Sequence, residues 1–230
     1  MLRRLRRRAK FNVEAFLGLA VVTRHPPPLT TSKTVYNSFS RLFITLQRRF
    51  PPFANDWGAG AAPSAADVEA RLALLGGGQG RKGTVTAAVL FFVGQECPIS
   101  NAMMPEANRI VEKYAPLGVV FYFVYPEDDL TDEEAARHAK DFGLKAPVTV
   151  DRERRLVAKA GVKVTPEAAV FDGAGRVVYH GRINDLYAGL EQRREVASTH
   201  DLRDALDAVV AGRLPPVPTI PAVGCFISAK

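Results

Sequence analysis

The stretch Gly94 to Asn101 reads GQECPISN. It sets Cys97 directly before Pro98, where an apolar run stops and a helical pattern starts. A sulfur at a helix N-terminus faces unpaired N–H groups and the positive end of the peptide dipole, and both favour thiolate over thiol. Pro98 suits a first-turn position, where its missing N–H would have no intrahelical partner. The chemistry on offer is attack by sulfur on a disulfide, or oxidation of the sulfur itself. Ser100 stands three residues on, where a dithiol motif would carry its second cysteine, and its hydroxyl could donate to the sulfur. Glu96 would oppose ionisation if its carboxylate pointed inward. The second cysteine, Cys225, lies near the end of the chain. The residues alone leave three states open: a disabled dithiol, a one-cysteine enzyme, or half of a distant pair.

Composition narrows the classes. A chain of 230 residues holds one ordinary domain plus extensions, and a hydrophobic fraction of 47% supplies a core. No run reaches the roughly 18 to 20 apolar residues that a bilayer-spanning helix needs. Two cysteines make no disulfide scaffold, and without a CxxC pair there is no zinc ribbon. The net charge of +7 is uneven: residues 1–55 hold eleven Lys/Arg against one acid, Glu14, while the remainder holds twenty against twenty-three. Nucleic-acid binding calls for a basic face on the folded domain, so it is not expected. The start, MLRRLRRRAKFNVEAFLGLAVV, resembles a targeting segment, although Asn12 and Glu14 interrupt its apolar part. Residues 1–60 are expected to form a basic extension, targeting-like or disordered. Export is the expected destination and the cytoplasm the alternative.

The elements that must position Cys97 follow from periodicity. Ser64 with Asp67 marks the start of a helix, and the glycines after it mark the stop. TVTAAVLFFV (84–93) and GVVFYFV (118–124) read as buried strands, with a helix from Pro98 to about Tyr114 between them. Thr131 with Glu134 forms a capping box for a helix that Gly143 closes. A short strand at 148–150 and a helix at 153–160 come next. Strands at 167–171 and 176–180, joined by DGAG, form a hairpin, and Thr199 caps a last helix, HDLRDALDAVVAG, that Gly212 ends. The parallel crossover and the closing hairpin predict an α/β domain over residues 61–212, with a mixed central sheet and helices on both faces. A proline-rich tail, 213–230, carries Cys225.

With CP opening the first crossover helix after a buried strand, and Thr165-Pro166 just before the hairpin, the chain resembles the thioredoxin-like superfamily. Within it, the chain is similar to the redoxin branch of thiol-disulfide oxidoreductases and peroxiredoxin-like proteins. The resemblance implies a thioredoxin-like fold with inserted helices and an extended C-terminal tail. It implies a cis bond at Thr165-Pro166, packed against Cys97, with a backbone edge that could bind a partner's extended chain. It also places the start of the last helix at the active-site end. That helix then carries the chain about 21 Å away at 1.5 Å per residue. The following thirteen residues extend about 40 Å at 3.3 Å each, enough for Cys225 to return to Cys97. Pairing would make Cys225 a distal resolving cysteine; a static disulfide or a tail thiol that never meets Cys97 is the alternative.

The connection after the hairpin, GRINDLYAGLEQRREVASTHDL, is long and lies at the active-site end in this topology. Arg182, Asp185, Arg194 and His200 could line the cleft there, with Arg182 stabilising a thiolate or polarising a peroxide. Met103 and Met104 are read as core, and His138 as a surface residue of an acidic helix. The leading expectation is a thiol-dependent oxidoreductase using Cys97, Pro98, Ser100, Thr165, Pro166, Arg182 and Cys225, without a cofactor. Its partner would be a protein thiol or disulfide, a small reductant or a hydroperoxide. Peroxidase activity is disfavoured because Gly94 occupies the place where peroxiredoxins carry a hydroxyl residue. A copper-handling module built on Cys97, Cys225 and His200, or a redox-inactive binding module, are the other classes.

Overall fold

The computed structural model describes residues 62–75 and 85–228. The basic extension expected for residues 1–60 lies outside them. Helix α1 (Ala65–Leu74) opens on the anticipated capping box: Ser64 Oγ accepts the Asp67 N–H at 3.2 Å, and the Asp67 carboxylate accepts the Ser64 N–H at 3.0 Å. These bonds satisfy donors that a helix start leaves without partners.

Strand β1 (Ala87–Phe92) is buried at every position, as a run of AAVLFF with no polar alternation requires. Helix α2 (Pro98–Tyr114) follows, and β2 (Val119–Tyr125) returns parallel to β1 with Val89 opposite Phe121. Pro105 lies inside α2 without ending it. Helix α3 (Asp132–Asp141) begins at the Thr131–Glu134 capping box, and β3 (Val148–Val150) adds parallel to β2. Helix α4 (Arg155–Ala160) leads into β4 (Val164–Thr165), then β5 (Glu167–Asp172) and β6 (Val177–Gly181). Strand β5 runs antiparallel to both β1 and β6. Short strands β7 (Tyr187–Gly189) and β8 (Gln192–Arg193) pair within the long connection, and α5 (Asp201–Val210) follows.

The tail then re-enters the fold. Strand β9 (Thr219–Ile220) pairs parallel with β6, giving a sheet ordered β3-β2-β1-β5-β6-β9. Gly181, at φ 150°, makes this possible, since a Cβ there would run into the Ile220 backbone. Strand β10 (Cys225–Phe226) leaves the sheet and pairs antiparallel with β4, with Cys225 opposite Thr165.

Alternate residues of β1 feed two cores, as a two-residue side-chain period dictates. Val89 and Phe91 pack with Met104, Ile110, Phe123 and Leu206 under α2 and α5. Ala88, Leu90 and Phe92 pack with Val68, Leu72 and Leu156 under α1 and α4. The sheet is therefore mixed and covered by helices on both faces, as expected. Met103 and Met104 are buried, as their placement in the core anticipated.

Candidate active site

Cys97 occupies the N-cap position of α2, one residue beyond the loop that leaves β1. Its side chain is 4% exposed, and its Sγ–H donates to the Thr165 carbonyl at 3.1 Å. The Thr165-Pro166 peptide is cis. Cys225 comes to the same sulfur from the tail. Its Sγ–H donates to Cys97 Sγ at 2.7 Å, and both residues are free thiols. Tail and helix start thus meet across 128 positions of sequence.

Ser100 is fully buried, and its Oγ accepts the Gly94 N–H at 3.1 Å. Burial pushes the Cys97 thiol up, but hydrogen bonds from Cys225 and from the N–H and hydroxyl of Ser100 outweigh it. Cys97 is accordingly held below the range of an ordinary thiol. Cys225 moves the other way. Burial, its bond to Cys97, and the negative charges of Cys97 and Glu127 push it up to about 11. The two sulfurs differ as an acid and a base should: one favours thiolate while its neighbour keeps its proton.

An open cavity of about 380 Å³ reaches both sulfurs. Its walls include Glu127, Asp128, Asp129 and Arg154. Glu127, which the sequence reading did not single out, lies just past the end of β2. One of its oxygens accepts the Gln95 N–H at 2.8 Å, and the other is buried with no hydrogen-bond partner among the described residues. Burial raises its pKa. The signal available was its place in YPEDD, at the strand end that faces the start of α2. Glu96, whose carboxylate would have opposed the thiolate from inside, is exposed.

His138 overturns its surface assignment. It is 8% exposed; Nδ1 lies 2.7 Å from the Tyr125 hydroxyl and Nε2 lies 3.0 Å from Asn101 Oδ1. The Asn101 amide nitrogen in turn donates to the Gln95 carbonyl at 3.1 Å. With Asn101 Oδ1 an acceptor, Nε2 carries the imidazole proton and Nδ1 accepts from Tyr125. Burial lowers the His138 pKa and keeps the ring neutral. This chain of bonds ties α3 to the loop before Cys97. The acidic composition of α3 hid it, because the residue that turns inward is polar.

Arg182 does not line this cavity. Its guanidinium donates to Asp201 at 2.8 Å and to Thr199 Oγ1 at 3.2 Å, fixing the start of α5. Asp185 is likewise a loop organiser: it accepts the Ser198 hydroxyl and the N–H groups of Thr199 and Ser198, and lies 3.5 Å from Arg194. Those bonds hold its carboxyl well below the usual carboxylate range. His200 is the N-cap residue of α5 and makes no side-chain cap bond, so Thr199 is not the cap. Among the described residues no three His, Cys, Asp or Glu side chains gather as a metal site, so Cys97, Cys225 and His200 do not form the soft-ligand set of a copper module.

Two curated relatives named thiol-disulfide oxidoreductase ResA, from Bacillus thuringiensis (strain Al Hakam) and Bacillus anthracis, are each 30% identical over 89 residues. The match covers 39% of this chain, and the chain spans about half the length of the curated relatives it matches. An uncharacterized conserved protein from Geobacillus kaustophilus superposes with a TM-score of 0.57 at 26% identity, covering 64% of this chain and 78% of that one. A hypothetical protein from Sinorhizobium meliloti 1021 gives 0.59 at 22% identity, covering 74% and 91%, and shows the same fold. The family model described as Redoxin matches residues 62–190, more than half of the sequence. The chain belongs to the redoxin family and has the thioredoxin-like fold of that branch.

Proposed function

We propose that the protein is a thiol-disulfide oxidoreductase in which Cys97 attacks and Cys225 resolves. The observation that carries this reading is the 2.7 Å approach of the two free sulfurs. The name of the ResA relatives supports it. In the first step the Cys97 thiolate attacks a partner disulfide, forming a Cys97–partner bond and releasing the partner's other sulfur as a thiolate that takes up a proton. In the second, Cys225 loses its proton and attacks Cys97 Sγ. The Cys97–Cys225 bond forms and the partner leaves as a thiol. Two protein thiols are oxidised and one disulfide is reduced; run backwards, the same steps oxidise a partner dithiol.

The remaining residues have positioning roles in this reading. Ser100 supports the thiolate, Pro98 leaves the first-turn N–H groups of α2 uncrowded, and Thr165-Pro166 presents its carbonyl beside the sulfur. The partner is a protein thiol or disulfide. Peroxide turnover is disfavoured by Gly94. A Cβ there would stand 2.8 Å from Thr165 Oγ1 and 3.0 Å from the Cys97 Cβ, so a hydroxyl-bearing side chain would have to displace the side chains around the sulfur. An extracytoplasmic setting belongs to the reading, because disulfide chemistry persists in oxidising compartments and the sequence opens on a basic, partly apolar segment.

Glutathione disulfide and intact-mass spectrometry test the scheme. The reduced wild-type chain should lose two hydrogens and retain no glutathione. Cys225→Ser should accumulate one glutathione on Cys97, and Cys97→Ser should do neither. Failure of Cys225→Ser to hold the adduct would remove Cys225 from the resolving role.

A further inference from the structure

The backbone edge beside Cys97 is already filled. Residues 224–227 run along β4 as a substrate chain would: Cys225 pairs with Thr165, Phe226 with Val164, and the Ile227 N–H donates to the Lys163 carbonyl at 3.0 Å. Arg154 closes over the end by donating to the Ser228 carbonyl. The seat is shaped for one residue type in front of the cysteine. A Cβ on Gly224 would overlap the Thr165 carbonyl oxygen and lie 3.1 Å from the Pro166 nitrogen. The strand is nevertheless lightly held. It has two paired residues, Cys225 is exposed, Phe226 is 84% exposed, and of its apolar side chains only those of Val223 and Ile227 pack, half-buried, against the cores. A short edge strand with its largest apolar side chain in water has little burial to oppose its release.

We propose that this tail is a displaceable stand-in for the partner: an extended, disulfide-bearing protein segment with glycine before its cysteine docks on β4 after the tail leaves. This rests on the oxidoreductase reading and adds a partner class and a gate to it. Both chains compete for one edge, so resolution and release become one event. Partner binding lifts Cys225 from Cys97; return of the tail re-forms the β4–β10 pairing, delivers Cys225 to the mixed disulfide and expels the partner strand. The tail is tethered at β9, which gives it an effective concentration in the millimolar range against any free segment.

A fluorescent synthetic peptide of residues 222–228 bearing Cys225→Ser tests the docking without any redox step. Its binding is compared on full-length reduced wild type, Gly224→Ala, which obstructs the tail, and Gly181→Ala, which loosens the β9 tether outside the peptide's footprint. Gly224→Ala should bind the peptide at least about tenfold more tightly than wild type, since its tethered competitor at millimolar effective concentration can no longer dock. Gly181→Ala should bind it more tightly than wild type by a smaller factor, since the looser tether lowers that effective concentration. A peptide carrying Gly224→Ala should not bind. In the unaltered chain, saturating peptide should raise the alkylation rate of Cys225. Equal affinity for all three chains, binding of the Gly224→Ala peptide, or an unchanged Cys225 alkylation rate would each overturn the proposal. Loss of glutathione-disulfide turnover with peptide binding intact would instead count against the oxidoreductase reading.

Discussion

The Gly94 N–H donates to Ser100 Oγ at 3.1 Å, inside the loop that carries the Cys97 sulfur. The residue standing where a second cysteine would be is therefore buried in the loop's own hydrogen bonding, with the sulfur as its other neighbour. It is a structural and electrostatic part of the loop around Cys97, and the second sulfur at the site comes from Cys225 instead.

Ser100→Ala removes that hydroxyl and leaves the buried Gly94 N–H without an acceptor. We expect a loss of about 1–3 kcal/mol in urea unfolding, the cost of orphaning one buried donor. The Cys97 pKa should rise, because one of the bonds lowering it is gone. Ultraviolet titration of the thiolate, or the pH dependence of iodoacetamide alkylation, reads this as a midpoint displaced to higher pH. An unmoved midpoint would exclude Ser100 from thiolate support.

His138 supplies an acid-side prediction. Its folded pKa is lowered, so the neutral ring contributes stability above the unfolded value of about 6.5, and that contribution is lost as pH falls through the folded value. Protonation would also turn Nδ1 into a donor facing the Tyr125 hydroxyl. Wild type should therefore lose stability as pH drops below about 6.5 more steeply than His138→Phe, measured by urea midpoints. At neutral pH the variant should be weaker by about 1–3 kcal/mol, since Tyr125 and Asn101 lose their partner.

Glu127→Gln tests the charge beside the resolving thiol. Burial is the larger cause of the high Cys225 pKa, but the Glu127 carboxylate contributes to it. The variant should titrate Cys225 below about 11, and the resolution step of the glutathione reaction should gain speed at lower pH than in wild type. An unchanged pH–rate profile would show that Glu127 does not act on Cys225.

Phe91→Ala probes the strand that positions the site. Phe91 is fully buried and stacks on Phe121 and Phe123 with ring centroids 6.0 and 5.1 Å away. Truncation should cost about 3–5 kcal/mol by emptying packed volume. Urea unfolding of the reduced chain checks it.

Much of this molecule is set by local sequence. Apolar runs longer than an alternating strand allows made β1 and β2 buried, and Ser64–Asp67 and Thr131–Glu134 fixed two helix starts through bonds spanning three residues. Cys97-Pro98 at the start of α2 is local too, but the largest contribution that lowers the Cys97 pKa comes from Cys225, 128 positions away. Pairings across distance were not readable from the sequence. Strand β10 is two residues long and has no periodicity; its place depends on Gly224 passing the Thr165 carbonyl, a steric fit between positions about sixty apart. The bonds of His138 to Tyr125 and Asn101, of Arg182 to Asp201 and of Glu127 to Gln95 are likewise choices among many possible polar partners. Sequence alone determined that one sulfur sits at a helix start and that a second lies within reach. Only the tertiary structure decided that they meet, because a tail's return path is set by which backbone edge is open and which side chains leave room for it.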